Sequence, residues 1–197
     1  MNFFLLGERL AVDFLNTVVV QDGRARDLFD RRRDVASWGE ATGVLRRGTL
    51  RSSALGHEPE GLRHFREALR RGLAAWVAGA TVPPGLLALL NRHLARDPEV
   101  GAVTAWRGKV VMQRWPAGAP LERVYGAVAR SAAELLAGGD RRRLRTCANP
   151  ACRLMFYDVS KAGRRRWCSM QTCGGRSKIR AFYRRRRHDA RRPSGTR

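Results

Sequence analysis

Four cysteines, Cys147, Cys152, Cys168 and Cys173, are the residues whose type and spacing most directly specify chemistry in this 197-residue chain, which has no other cysteine. Four residues separate the members of each pair, and fifteen lie between the pairs. Two close pairs on tight turns, joined by a segment that folds back, are what a tetrahedral ion requires, and four thiolates at about 2.3 Å suit zinc. Soft sulfur excludes magnesium and calcium and leaves zinc ahead of iron. Disulfides are the alternative, with three pairings open. Met1 to Leu6 lacks the basic leader of a secreted protein, so the chain reads as cytoplasmic, where disulfides are rare. Both spacings are too wide for a redox CxxC pair. With every coordination position taken by protein, the expectation is one structural zinc and no catalytic water. Asn149-Pro150 falls inside the first turn, and Gly174-Gly175 follows the second. Glycine there would permit φ > 0 and let N–H groups approach the sulfurs.

The charge gathers around the same cysteines. The chain carries 39 Lys plus Arg against 17 Asp plus Glu, a net of +22. Residues 1–140 hold 20 basic and 15 acidic side chains, whereas residues 141–197 hold 19 and 2. Arginine accounts for 36 of the 39 basic residues, which codon bias in a GC-rich genome could produce. Such bias does not explain the lack of acids between Asp158 and Asp189. An excess this local points to nucleic acid, which rewards clustered cations by counterion release, ahead of an anionic membrane surface or a solvated tail. No stretch approaches the roughly 20 apolar residues of a membrane span.

Two modules follow: 1–140, and 141–187 with a disordered basic tail at 188–197. The first reads as α+β, mostly helical with one β-hairpin. Leu10, Ala11, Phe14 and Leu15, with Val18 just beyond, have helical spacing over Glu8 to Thr17. Val20 to Arg33 is polar, with Asp22-Gly23 as a turn signal. A short helix covers Asp34 to Ala41, ended by Gly43. Between Pro59 and Val77 the apolar face is Leu62, Phe65, Leu69, Leu73 and Trp76, leaving Arg63, Arg66 and Arg70 for the surface. Pro83-Pro84 starts a helix bearing Leu86, Leu87, Leu90 and Leu94, and Asp97-Pro98 stops it. Ala102–Trp106 and Lys109–Trp115 flank Arg107-Gly108 as a hairpin. Leu121, Val124, Tyr125, Val128, Ala132 and Leu135 mark a last long helix, closed by Gly138-Gly139.

In the second module the candidate core is small: Leu154, Phe156, Trp167, Ile179, Phe182 and Tyr183. Residues 176–187 have helical periodicity with two faces. Ile179, Phe182, Tyr183 and Arg186 suit packing on the zinc loops. Arg176, Arg180, Arg184 and Arg187 form a row that can track phosphates or reach guanine edges. Lys178 lies in the same segment, and Arg164, Arg165 and Arg166 before Cys168 would add phosphate contacts, as would Arg141 to Arg143. Tyr157 and Tyr183 could stack on unpaired bases, though core packing suits both better.

The segments Cys147-Ala-Asn-Pro-Ala-Cys152, Arg164-Arg-Arg-Trp-Cys168-Ser-Met170 and Cys173-Gly-Gly-Arg176 resemble the CGNR zinc finger. Leu10-Ala-Val-Asp-Phe-Leu-Asn-Thr17 resembles the opening of the ABATE domain that precedes this finger in bacterial proteins. The resemblance implies a small treble-clef-like finger ending in a basic helix, with Cys147, Cys152, Cys168 and Cys173 as zinc ligands. It also implies a bacterial, stress-induced transcription regulator that binds DNA through the finger and senses a ligand through the N-terminal module. The family's name-giving tetrapeptide has Asn where this chain has Gly175, so a side-chain hydrogen bond is lost there, while the thiolates are untouched.

Asp13, Asn16 and Thr17 share one helical face beside Phe14. They are candidate ligand-binding residues, with bracing of nearby backbone as the alternative. Catalysis finds little support: His57, His64, His93 and His188 are scattered, and no P-loop, dinucleotide fingerprint or serine nucleophile motif occurs. The expectation is therefore a non-enzymatic regulator of duplex DNA. An RNA-binding or ribosome-associated protein is the second reading, and an enzyme tethered to nucleic acid is the third. A homodimer fits paired half-sites, but no seam in the sequence shows one.

Overall fold

A computed structural model describes residues 3–21, 23–48, 59–96, 99–106, 109–116 and 118–189. The first helix, α1 (Leu10–Leu15), is shorter than its periodicity suggests. Before it, Glu8 takes the left-handed conformation at φ 61°, and the Gly7 N–H turns back to the Asp13 carboxylate at 2.7 Å. After it, Thr17 Oγ1 donates to the Phe14 carbonyl at 2.6 Å. A local side-chain bond of this kind competes with continuing the helix.

The polar segment that follows is a second hairpin, absent from the sequence reading. Strands β1 (Val18–Gln21) and β2 (Arg24–Asp27) pair antiparallel with Gln21 opposite Arg24, around Gly23 at φ 77°. Helix α2 (Arg32–Ala41) starts where the Asp34 carboxylate accepts the Arg31 N–H at 2.8 Å, and Gly43 at φ 77° follows it. Helices α3 (Pro59–Val77) and α4 (Pro84–Leu94) come next. Strands β3 (Glu99–Trp106) and β4 (Lys109–Pro116) then form the expected hairpin, with Trp106 opposite Lys109; Arg107 and Gly108 lie outside the described residues. Helix α5 (Pro120–Gly138) completes this part. Beyond a 3-10 turn at Arg141–Arg143 come β5 (Leu144–Thr146), β6 (Met155–Tyr157), a π-type turn at Met170–Gly174 and α6 (Gly175–Asp189). Among the described residues each sheet has two strands.

The main core is built around α1, whose Ala11, Val12, Phe14 and Leu15 are buried among Trp38 of α2, Leu62, Phe65, Leu69 and Leu73 of α3, Leu86 and Leu90 of α4 and Val128 and Ala132 of α5. Arg66, expected at the surface, is instead 2% exposed. It donates to Thr17 Oγ1 at 2.7 Å and to both carboxylate oxygens of Asp27, one of them at 2.9 Å. This bidentate pair fixes hairpin β1–β2 to α3, and Arg63 adds a contact to Asp27 at 3.3 Å. Burial works to raise the Asp27 pKa, but the Arg66 bond, the Phe29 N–H and the two guanidinium charges hold it below the usual range.

The C-terminal segment is packed onto this body. Leu144 and Tyr157 belong to the main core, while Val19 and Leu28 from the β1–β2 hairpin join Leu154, Phe156 and the cysteines in a second, smaller one. Asn16, 2% exposed, pairs with the Met155 backbone in both directions, accepting its N–H at 2.8 Å and donating to its carbonyl at 2.9 Å. Its amide thus stands in for one residue of a neighbouring strand beside β6.

Candidate metal centre and basic helix

The short β5–β6 hairpin brings the first cysteine pair into a tight knuckle. The Cys147 N–H reaches the Leu154 carbonyl at 2.9 Å and the Cys152 N–H reaches that of Asn149 at 2.8 Å. Asn149, 3% exposed, shapes the turn by accepting the Ala151 N–H on its side-chain oxygen. Its side-chain N–H₂ donates to Cys173 Sγ at 3.4 Å, so one residue of the first knuckle orients a ligand of the second. That role went unread in the sequence, although an Asn-Pro between two cysteines was its visible sign. The second knuckle is closed by the Gly174 N–H on the Ser169 carbonyl at 3.0 Å.

The four ligand atoms lie within 4.8 Å of one another, with Cys152 to Cys168 at 3.8 Å and Cys168 to Cys173 at 3.7 Å. Tetrahedral coordination at about 2.3 Å puts neighbouring sulfurs about 3.8 Å apart, which these pairs match. A disulfide needs about 2.05 Å, and all four thiols are free. The residues therefore fit one zinc ion held by Cys147, Cys152, Cys168 and Cys173. The hydrogen bond with Cys168 draws the Cys152 thiol down to about 5, while the same contact and burial push Cys168 strongly up. Burial also raises Cys147. Zinc binds thiolates, so loading the site releases protons.

The loop between the knuckles is organised by Asp158, which is fully buried and accepts from Ser160 N and Oγ and from the Arg165 N–H. Arg143 donates to the carbonyls of Asp158 and Ser160, and Arg145 to those of Arg142, Gly163 and Arg165. Arg165, expected to meet phosphate, is turned inward. It binds the Trp167 and Cys168 carbonyls, reaches the Glu8 carboxylate at 3.0 Å and lies over the Phe156 ring at 4.5 Å. Its donors are committed to the knuckle and to Glu8, which leaves Arg164 and Arg166 as the exposed pair of that run.

Helix α6 begins directly on the second knuckle. Neither Gly174 nor Gly175 uses positive φ, contrary to expectation; Gly175 is already helical at φ −59°. What Gly174 supplies is space, since a Cβ there would come within 2.7 Å of Met170 Sδ. At Gly175 a Cβ would meet only the Met170 carbonyl, at 3.6 Å, so the position has room for the family's Asn. Arg176, Lys178 and Arg180 are exposed, and Arg184 and Arg187 lie on the helix with side chains outside the described residues. A groove of about 660 Å³ runs between the first knuckle and α6, bordered by Pro150, Arg166, Lys178 and Arg180.

The expected packing of the α6 apolar face on the zinc loops is not found. Ile179, Phe182 and Tyr183 are 59%, 49% and 60% exposed, because the short zinc loops do not reach far enough along the helix to cover them. Phe182 and Tyr183 pack edge to face at 5.6 Å, with Arg186 over Phe182. Tyr157, by contrast, is buried, and its hydroxyl accepts the Asp140 N–H.

A model of the CGNR zinc finger family matches residues 143–186. A second model, that of the ABATE domain, described as a "Putative stress-induced transcription regulator", matches residues 8–139. The chain belongs to the ABATE family. No curated protein matches it. Within the ABATE segment, the three candidate ligand residues hold backbone. Asp13 binds the Gly7 N–H, Asn16 binds Met155, and Thr17 binds Phe14 and Arg66. Burial, opposed by the Gly7 and Leu6 N–H groups, pushes Asp13 up to about 6. Of the ABATE histidines, His93 stacks on Tyr125 at 4.4 Å beside Phe65, and burial lowers its pKa. His57 lies outside the described residues. No helix among the described residues is long and apolar enough to cross a membrane.

Proposed function

We propose that this ABATE-family protein is a transcription regulator that grips duplex DNA with α6 and responds to a small ligand through its N-terminal module. The observation that carries the reading is a 15-residue basic helix that starts on the zinc knuckle and whose described side chains from Lys178 onward are all exposed, with Arg176 exposed as well and Lys178 and Arg180 beside Arg166. A helix so presented suits the B-form major groove, about 12 Å wide, whereas the deep, narrow groove of A-form RNA does not admit side chains. That contrast favours duplex DNA over the RNA-binding reading. A binding role rather than an enzymatic one is favoured by the metal centre, where four thiolates leave no open position for water.

Anisotropy titration of the full zinc-loaded chain against a labelled duplex, over a range of salt, tests the reading. Arg180→Ala is expected to weaken binding and to reduce the salt slope by about one unit. An unchanged slope removes α6 from the interface. Tighter binding to single-stranded RNA than to any duplex moves the assignment to RNA.

A further inference from the structure

A cavity of about 880 Å³ lies where the two parts of the chain meet, between hairpin β1–β2, the first turns of α2 and both cysteine knuckles, and the zinc ligands Cys152, Cys168 and Cys173 form part of its wall. Its volume falls in the range of small-molecule sites, which are apolar clefts with a few convergent polar groups. Val19, Leu28 and Leu154 supply apolar surface, and Arg33, Arg153 and Arg176 are exposed cations with no ion pair among the described residues. Asp34 also lines the space, but its carboxylate is held by the Arg31 N–H. The lining thus combines apolar surface with exposed cations. Asp13, Asn16 and Thr17 do not line it.

We propose that this junction cavity is the effector site and that it takes a small amphipathic organic anion, an aryl or alkyl carboxylate or sulfonate. The apolar body would lie on Val19, Leu28 and Leu154 while the acid group meets Arg33, Arg153 and Arg176. The ligand would draw on both parts of the chain at once, Arg33 from α2 and Arg153 and Arg176 from the finger. Arg176 also opens the arginine row of α6, so an anion in the cavity competes with phosphate for the same guanidinium. Occupancy therefore weakens nucleic-acid binding, and by linkage nucleic acid weakens ligand binding by the same factor. This regulatory half rests on the function proposed above; the site itself does not.

The test uses the full zinc-loaded chain and 8-anilinonaphthalene-1-sulfonate as the probe, read by fluorescence. Saturable binding is expected, weakened roughly tenfold by Arg33→Gln, about the worth of one charge-assisted hydrogen bond. Ser37→Trp, which fills the cavity from α2, is expected to weaken it at least as much. The uncharged parent, 1-anilinonaphthalene, should bind roughly tenfold more weakly than the sulfonate. Circular dichroism confirms that both variants fold. Probe affinity unchanged in both variants overturns the site, and equal affinity for the uncharged parent overturns the anion. In the coupled measurement, saturating probe should weaken duplex binding by the wild type and leave that of Ser37→Trp unaffected. Probe binding as expected with no duplex bound even at low salt overturns the regulatory half and the function it rests on, and upholds the site.

Discussion

Under α1 the chain buries Phe14, Trp38, Phe65 and Leu73 among 21 described core residues. Around the knuckles the second core has seven, of which three are cysteines and two, Val19 and Leu28, are lent by the β1–β2 hairpin. The first region holds its shape by apolar volume and a buried ion pair. The second has too little apolar surface of its own and substitutes metal ligation, Asn149 and a web of arginine-to-carbonyl bonds. Arginine serves a different purpose in each. Arg66 is neutralised by Asp27 deep in the body, whereas Arg143, Arg145 and Arg165 spend their donors on loop carbonyls and replace the sheet that a 44-residue finger segment cannot build.

Removing the metal should separate the two regions most sharply. Zinc ligation in small modules contributes on the order of 10–16 kcal/mol, so chelation, or Cys168→Ser, is expected to melt the finger and leave the α1 core folded. Calorimetry with and without chelator checks this; one transition, unmoved by chelation, would show that the apolar core carries both regions. Next in size is Asp27→Ala, which strands the Arg66 guanidinium and should cost about 3 kcal/mol in urea titration. The Asp27 pKa is depressed by folding, so the stability it lends is present above its unfolded value and is lost as pH falls through the folded one, below about 4.

Asn16→Ala should cost about 2 kcal/mol, since it orphans both backbone groups of Met155. The change lies in α1's exit, yet faster amide exchange is expected at Met155 in the finger; exchange confined to residues near 16 would deny that the two regions are coupled there. The smallest effect concerns Asp13. Its folded pKa, about 6, lies above the unfolded value, so the folded state holds the proton more tightly, and stability falls as pH rises from about 4 to about 6. Asp13→Asn should flatten that slope, by on the order of 1 kcal/mol after allowance for partial exposure, in thermal melts across the window.

Long, strongly periodic elements were legible in the sequence. The Leu62, Phe65, Leu69 and Leu73 stripe and the four thiols stand where spacing put them, and so does the β3–β4 hairpin, whose first strand starts at Glu99 rather than Ala102. What stayed hidden depends on partners distant in the chain. In hairpin β1–β2 the second strand, Arg24 to Asp27, has three exposed residues of four, two of them arginines, and Val19 finds its cover in the finger. Asn16 meets a backbone 139 residues away, and nothing local separates that from ligand binding. Arg165 looks like its exposed neighbours until Glu8 and Phe156 are placed beside it. The apolar residues of α6 carry a core-like period, but periodicity cannot report that the surface opposite is missing.

From Lys178 onward every described side chain of α6 is exposed, so the helix is a cantilever rooted at the zinc knuckle. At 1.5 Å per residue its 15 residues reach roughly 22 Å, so a tilt of about 5° at the root carries the far end through about 2 Å. Sulfur positions at Cys173 and the close packing of Gly174 on Met170 therefore set where the last arginines of the row arrive. The knuckle is a fulcrum, and small adjustments there are multiplied along the arm.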